Sequence, residues 1–115
     1  MTQRWVEAGG EYQIPFINAG ERILKGEQVA CPKCSNELLR YYFHIMNVNR
    51  GSGTLWIWCA NCHTGTHLPR VQPNGLKYQD PFSELDLEEF SKLELDQQNS
   101  LLDRVDRLWS QNLLQ

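Results

Sequence analysis

The sequence has no apolar run that approaches the roughly 18 residues needed for a membrane-spanning helix. Its beginning also lacks the continuous apolar stretch of a secretory signal. We therefore expect a cytoplasmic protein, in a compartment where thiols remain reduced or bind metal. Hydrophobic residues make up 41% of the 115-residue chain and charged residues 22%, which is typical of a folded globular protein rather than a disordered one.

Recognisable catalytic patterns are also absent. The sequence has no nucleophile elbow, no ordered set of Ser, His and Asp, and no glycine-rich loop for phosphate. The Gly-Ser-Gly segment at 51–53 lies between two predicted strands and is typical of a turn. His44 shares the polar side of the first of these strands with Arg40 and Tyr42, which favours a sheet-surface cluster over a small binding patch. The sequence therefore predicts a protein that is not an enzyme.

The chain as a whole lacks the positive charge that nucleic-acid-binding proteins usually carry. Its formal net charge is −3, and this charge is unevenly distributed. Residues 1–79 contain eight basic and five acidic residues, whereas residues 80–115 contain three basic and nine acidic residues. The acidic part would repel phosphate and suits a basic protein partner better, so nucleic acid is the less favoured partner.

Cysteine is scarce, and all four cysteines occur in two Cys-x-x-Cys pairs. This spacing lets a tight turn aim both sulfur atoms at one ion, and two such turns complete the tetrahedron that zinc prefers. The 24 residues between the pairs can form two strands and a turn, which brings the second pair back beside the first. The sequence therefore predicts one structural zinc ion, with the ligands Cys31, Cys34, Cys59 and Cys62.

Around these cysteines, residues 29–71 resemble the zinc ribbon family. The first turn, Cys-Pro-Lys-Cys at 31–34, follows the family pattern, and the four cysteines match the family's four ligands. Ser35 departs from the pattern, because glycine is common at this position of the family. The resemblance implies a zinc-stapled antiparallel sheet, but it implies no particular activity, since zinc ribbons serve many unrelated functions.

Other interpretations of the cysteine pairs are open at this point. Residues 59–63 match the Cys-x-x-Cys-His pattern of haem attachment, with Met46 or His44 as a second axial ligand. Haem attachment normally follows export, and it would leave the first cysteine pair without a role. A thioredoxin-like redox role requires a strand–helix–strand context that neither pair has, and two disulfides would require export. His63 or His67 could replace a cysteine ligand, but four thiolates already fill the site. We therefore expect surface imidazoles, one of which could donate a hydrogen bond to a sulfur atom.

The remaining pattern predicts an α+β fold. A short N-terminal helix is expected over 20–25, capped by Asn18 and ended by Gly26, because Pro15 argues against an earlier start. The antiparallel strands of the zinc ribbon are expected over residues 37–47, 54–58 and 67–71.

Residues 80–115 predict two C-terminal amphipathic helices rich in acidic residues. A capping-box pattern begins the first, over 84–93, and apolar residues at helical spacing mark the second, over 97–114. We therefore expect a zinc-ribbon domain with an N-terminal helix, residues 1–79, and an acidic helical segment, residues 80–115, that packs on it.

Trp56 and Trp58 point to the same face of one predicted strand. We expect the C-terminal helices to cover this face, with Leu108 and Trp109 packing on it, because an antiparallel sheet must bury at least one face. The alternative is an exposed aromatic platform that stacks single-stranded bases or anchors a protein interface.

These features favour a non-catalytic zinc-containing module that binds a basic protein, such as a toxin domain. In its size, acidity and lack of catalytic motifs, the chain is similar in general character to small bacterial immunity proteins, which neutralise a toxin by occupying its substrate cleft. The candidate contact residues are Asp86, Glu88, Glu89, Glu94 and Asp96, together with Trp56 and Trp58.

The alternative function is a nucleic-acid-binding ribbon in transcription, translation or repair. Its aromatic strand would stack bases, and its basic side chains would contact phosphates. The cations available for this role are Arg40, Arg50, Arg70, Lys33 and Lys77.

Overall fold

The computed structural model describes residues 5–35, 37–47, 49–78, 98–112 and 114. The chain begins with a short strand and a 3₁₀ turn, continues through a helix and three longer strands, and has a second helix near its end. In chain order these elements are β1 (Val6–Glu7), the 3₁₀ turn (Gly10–Tyr12), α1 (Gln13–Leu24), β2 (Arg40–Asn47), β3 (Ser52–Cys59), β4 (Thr64–Val71) and α2 (Gln98–Ser110).

This is the α+β fold that the sequence predicts, with one helix before the three long strands and one after them. The helix predicted over 84–93 lies outside the described residues, and the division of the chain between residues 79 and 80 stays a prediction. Within the described ranges, neither helix combines the length and apolarity needed to cross a membrane.

Helix α1 begins at Gln13, well before the predicted start at residue 20. The expectation that Pro15 excludes a helix here was wrong, because Pro15 lies in the first turn. A backbone N–H has no partner within the helix at that position, so proline loses no hydrogen bond there. Asn18 consequently lies inside the helix and does not cap it.

The end of α1 at Gly26 is confirmed by its capping geometry. Gly26 has a φ angle of +91°, which a residue with a side chain rarely adopts. Its N–H donates to the carbonyl of Ile23 at 2.9 Å, and the N–H of Glu27 donates to the carbonyl of Arg22 at 3.2 Å. These two bonds form a Schellman motif, which satisfies carbonyl groups that the helix end would otherwise leave unpaired.

The four strands form one sheet in the order β1-β4-β3-β2. Neighbouring long strands are antiparallel as predicted, but β1 runs parallel to β4, so the sheet is mixed. The N–H groups of Val6 and Ala8 donate to the carbonyls of His63 and Gly65, each at 2.8 Å. Sequence alternation cannot reveal a strand as short as β1, which has two residues.

One face of the sheet packs against α1. Leu55 and Ile57 of β3 point to this face, as the alternation in the sequence predicts, and both are fully buried. Gly20 of α1 allows the close contact, because a Cβ atom there would lie 2.8 Å from the nearest methyl carbon of Leu68. The other buried side chains of this layer include Phe16, Ile23, Leu24, Leu39, Phe43, Cys31 and Cys59.

The other face packs against α2. Trp56 and Trp58 are 2% and 0% exposed, so the covered arrangement is observed and an exposed aromatic platform is wrong for this face. His44 lies on the same face and is also buried, with Nδ1 2.9 Å from the hydroxyl oxygen of Tyr42. Two members of the predicted sheet-surface cluster, His44 and Tyr42, are therefore buried beside the tryptophans, whereas Arg40 is partly exposed. The apolar partners of this layer include Trp5, Tyr42, Leu102, Val105 and Leu114, with Leu108 and Trp109 partly buried.

A single carboxylate of α2 joins the helix to two strands. Oδ1 of Asp106 accepts a hydrogen bond from Nε1 of Trp58 at 2.8 Å and another from Nη1 of Arg40 at 2.8 Å. Arg40 also donates to the hydroxyl of Ser110 at 3.0 Å. Asp106 thus satisfies the indole N–H of a fully buried tryptophan and sets the position of α2 along the sheet.

Replacing Asp106 with alanine should destabilise the protein by about 1–3 kcal/mol, because the Trp58 N–H and the Arg40 guanidinium would lose their shared acceptor. Urea unfolding followed by tryptophan fluorescence measures this change. Arg107→Ala is the matched control, because its side chain is exposed on the same helix, and it should change stability by less than about 0.5 kcal/mol. Equal stability of Asp106→Ala and the parent would mean that apolar contacts alone hold α2.

Candidate metal centre

Each Cys-x-x-Cys pair lies in the turn of a hairpin. The residues on either side of the first pair are paired with each other. Ala30 forms an isolated antiparallel bridge with Leu38, and the N–H of Leu39 donates to the carbonyl of Val29 at 2.8 Å. The second pair joins β3 to β4, since Cys59 is the last residue of β3. The antiparallel pairing on both sides therefore fixes the direction in which each turn presents its cysteines.

The two turns have the same backbone conformation. The N–H of Ser35 donates to the carbonyl of Cys31 at 2.9 Å, and the N–H of His63 donates to the carbonyl of Cys59 at 3.0 Å. Ser35 and His63, each directly after the second cysteine of its pair, have φ angles of +59° and +54°. This left-handed conformation explains why glycine would suit position 35.

The sulfur atoms of the two turns meet. Sγ of Cys31 lies 3.6 Å from Sγ of Cys62, and Sγ of Cys34 lies 3.5 Å from Sγ of Cys59. All four sulfur atoms lie within 4.8 Å of one another, and none of these cysteines is in a disulfide. Tetrahedral zinc with bonds of about 2.3 Å requires sulfur atoms about 3.8 Å apart, so the four cysteines lie close enough together to hold a metal ion.

Burial makes two of the thiols, those of Cys31 and Cys59, poor nucleophiles in the absence of an ion. It raises the pKa of Cys59 to about 12, against the weaker opposing effect of backbone N–H groups from Cys62 and Asn61. Burial also raises the pKa of Cys31, and N–H groups of Cys34 and Lys33 oppose that shift. Reactive cysteines have a lowered pKa instead, so the raised pKa values of Cys31 and Cys59 argue against a redox role. A metal ion that binds these thiols would displace their protons.

Lys33 forms a polar bridge between the two turns, which the sequence analysis did not predict. Its Nζ atom donates to Oγ1 of Thr64 at 3.3 Å, and that hydroxyl donates to the carbonyl of Cys62 at 3.3 Å. The same ammonium group lies 5.6 Å from the centre of the Tyr12 ring. Because Lys33 belongs to the first cysteine turn, its positive charge would partly offset the negative charge of a metal–thiolate group.

His63 and His67 bring no ligand atom to the sulfur cluster. Among the described residues, the cysteines alone form a group able to hold an ion. The ring of His63 lies 4.5 Å from that of Trp5, and no described group forms a hydrogen bond with its buried Nδ1 atom. His63 is therefore not the simple surface imidazole that we expected. His67 is partly buried on β4, with its ring 6.4 Å from that of Trp56.

The haem-attachment interpretation is not supported by this arrangement. Haem attachment would require Cys59 and Cys62 to project toward a porphyrin, whereas their sulfur atoms contact those of Cys34 and Cys31. His63, the expected iron ligand of that pattern, packs on Trp5 instead.

The candidate partner-binding residues do not form one exposed surface in the described structure. Trp56 and Trp58 are buried under α2 and offer no contact surface there. The acidic candidates lie outside the described residues, and their role stays a prediction: Asp86, Glu88, Glu89, Glu94 and Asp96.

No known protein family, curated protein or solved structure matches this chain. The resemblance of residues 29–71 to zinc ribbons therefore depends on the cysteine spacing and on the geometry of the two turns.

Replacing Ser35 with glycine should stabilise the protein by up to about 1 kcal/mol, because glycine adopts the left-handed conformation without strain. Thermal unfolding of protein purified with its metal measures the effect. Ser35→Ala keeps the strained conformation and should give no gain. A loss of stability in Ser35→Gly would contradict the conformation described for the first turn.

Proposed function

We propose that the chain binds one structural zinc ion through Cys31, Cys34, Cys59 and Cys62. The observation that carries this proposal is the meeting of four sulfur atoms from two hairpin turns of the same conformation. Four thiolates in a tetrahedron form a closed zinc site, because no coordination position is left for water or substrate. A zinc ion bound in this way braces the fold and supplies no Lewis-acid catalysis.

The residues around the cysteines support a structural role for the ion. Cys31 and Cys59 are buried in the same layer as Leu39 and Ile57, so the ion would connect the two turns at the edge of the hydrophobic core. The ammonium group of Lys33 would offset the excess negative charge of zinc with four thiolates. Binding would therefore contribute directly to the free energy of folding.

Protein purified from cytoplasm without added metal should contain about one zinc per chain and show no visible absorption band. Elemental analysis and an absorption spectrum measure both properties. Cys59→Ser should lose the ion and unfold the sheet region at a much lower temperature, since three remaining thiolates leave the site incomplete.

Ala60→Ser is the matched control for Cys59→Ser, because it changes the same turn and keeps all four ligands. It should retain the ion and melt near the parent temperature. A Cys59→Ser variant that melts like the parent would contradict the zinc proposal, and a coloured protein containing iron would identify a different metal.

We further propose that the protein is a non-catalytic module that binds a basic protein partner. Residues 80–97 contain seven acidic residues and one basic residue, a density of charge that would attract a positively charged surface. A toxin domain that acts on nucleic acid or a nucleotide has such a surface in its substrate cleft. An acidic segment in that cleft would mimic the substrate, which is how the chain could act as an immunity protein or antitoxin.

The described structure gives the nucleic-acid alternative less support. Trp56 and Trp58, the rings that would stack on bases, are buried under α2. Arg40, one of the cations assigned to phosphate contacts, is paired with Asp106 at 2.8 Å. Polymeric nucleic acid is bound through many phosphate contacts, and few cations remain for them.

Neutralising the acidic candidates should abolish partner binding, because charge attraction supplies both orientation and fast association. The test variant combines Asp86→Asn, Glu88→Gln, Glu89→Gln, Glu94→Gln and Asp96→Asn. A basic partner isolated by affinity purification from the native cytoplasm should bind this variant at least about 10-fold more weakly than the parent in surface plasmon resonance.

The control variant neutralises three exposed acidic residues of the zinc-ribbon part, Glu7, Glu11 and Glu21, and should bind the partner normally. The same instrument should be used with single-stranded DNA and RNA. Tight, salt-sensitive nucleic-acid binding by both variants would contradict the protein-partner proposal and favour the alternative.

A further inference from the structure

Two β-bulges face each other at the end of the sheet opposite the cysteines. Between β2 and β3, Ile45 is paired with Gly53 and Asn47 is paired with Ser52, so Met46 is an extra residue of β2. Between β3 and β4, Leu55 is paired with Leu68 and Gly53 is paired with Val71. Pro69 and Arg70 therefore oppose one residue of β3. Bulges redirect side chains and often occur beside binding sites.

A groove lies between these bulges. Both bulges contribute to its lining, through Met46 on one side and Pro69 and Arg70 on the other. Gly53 permits the close approach of the strands, because a Cβ atom there would overlap the carbonyl oxygen of His44. Arg50 at the hairpin tip completes the lining, so two arginines share one concave surface.

The backbones of both arginines are held in place. The N–H of Arg50 donates to Oδ1 of Asn47 at 3.2 Å, and its carbonyl accepts from Nε2 of Gln72 at 2.8 Å. Arg70 has a φ angle of +57°, a left-handed conformation that is uncommon for a residue with a long side chain. Arg70 lies in the bulge with Pro69, which accommodates this conformation, and it lines the groove.

Neither guanidinium group is paired with a carboxylate of the described residues. The ion pairs of the described part join Arg22 to Glu27 and Arg40 to Asp106. Both Arg50 and Arg70 are exposed, and the chain has more acidic than basic residues overall. Two cations that no described carboxylate pairs lie on one groove, and this arrangement indicates a site for an anion.

We propose that this groove, which we call the arginine groove, binds a phosphate monoester. Two guanidinium groups carry two positive charges, which match the nearly doubly negative charge of a phosphate monoester near neutral pH. Their planar N–H donors suit paired phosphate oxygens. Met46 and Pro69 give the groove an apolar wall for the organic part of the ligand.

Polymeric nucleic acid fits the arginine groove less well than a small phosphate monoester. It would require further cations along its backbone and exposed rings for its bases, and the tryptophans of this sheet are buried. The residues that line the arginine groove include none of the four cysteines and none of the acidic candidates, so phosphate binding can be tested whether or not the zinc and partner proposals hold.

The experiment is a titration of the ¹⁵N-labelled full chain, as purified, with inorganic phosphate and with phenyl phosphate, followed by NMR. Amide shifts should saturate with a Kd of about 1 mM and be largest at Arg50, Ser52, Gly53 and Arg70. Phenyl phosphate should bind more tightly than inorganic phosphate, because its ring can contact the apolar wall. Acetate at equal ionic strength should give no saturable shift.

Arg70→Gly is the decisive variant, because glycine relieves the left-handed conformation while removing the guanidinium. It should keep the fold and weaken phosphate binding at least about 10-fold. Arg50→Lys keeps the charge but loses the planar donors, and should also weaken binding. Arg107→Ala removes an exposed arginine of α2 and should bind like the parent.

Shifts that increase linearly with phosphate, or equal binding by Arg70→Gly and the parent, would overturn the arginine groove as a phosphate site. Equal affinity for inorganic phosphate and phenyl phosphate would overturn the assignment to a monoester.

Discussion

Strand β3 places alternate side chains in two separate hydrophobic layers, and the rest of the structure is arranged to cover both. Leu55 and Ile57 lie on one face of the sheet, which α1 covers. Trp56 and Trp58 lie on the other face, which α2 covers. Each buried indole removes about 150–250 Å² from water, which corresponds to about 4–6 kcal/mol as an upper estimate. Few other contacts in a domain of this size contribute as much.

The candidate metal centre is connected to both of these hydrophobic layers. Cys59 ends β3 and lies in the α1 layer, while the preceding Trp58 lies in the α2 layer and donates to Asp106. His63, one residue after the last cysteine, packs on Trp5, which belongs to the α2 layer. Loss of an ion from the cysteines would therefore disturb both layers, although α2 contributes no ligand.

Patterns that involve neighbouring residues were visible in the sequence. The cysteine spacing predicted the meeting of the sulfur atoms, the alternation in β3 predicted its two faces, and Gly26 predicted the end of α1. The start of α1 was missed because Pro15 was treated as an interior proline, although the first turn of a helix tolerates it.

Contacts between distant residues were not predictable from the sequence. The bond from Trp58 to Asp106 joins residues 48 positions apart, and the bond from Lys33 to Thr64 spans 31 positions. A single aspartate or lysine carries no periodic signal, so its partner is known only when the sheet register is known. The pairing of β1 with β4 was hidden for the same reason, since two residues show no alternation.

The register of β3 and β4 connects the metal centre to the arginine groove. Pairing begins at Cys59 with Thr64 and continues without interruption to Leu55 with Leu68. An ion that fixes Cys59 would thereby fix the register of the whole ladder and the position at which the bulge at Arg70 forms. A one-residue slip would turn every side chain of β4 to the opposite face, so the two arginines would no longer share a groove. Zinc binding would thus pre-organise the groove through strand pairing, with no need for contact between the two sites.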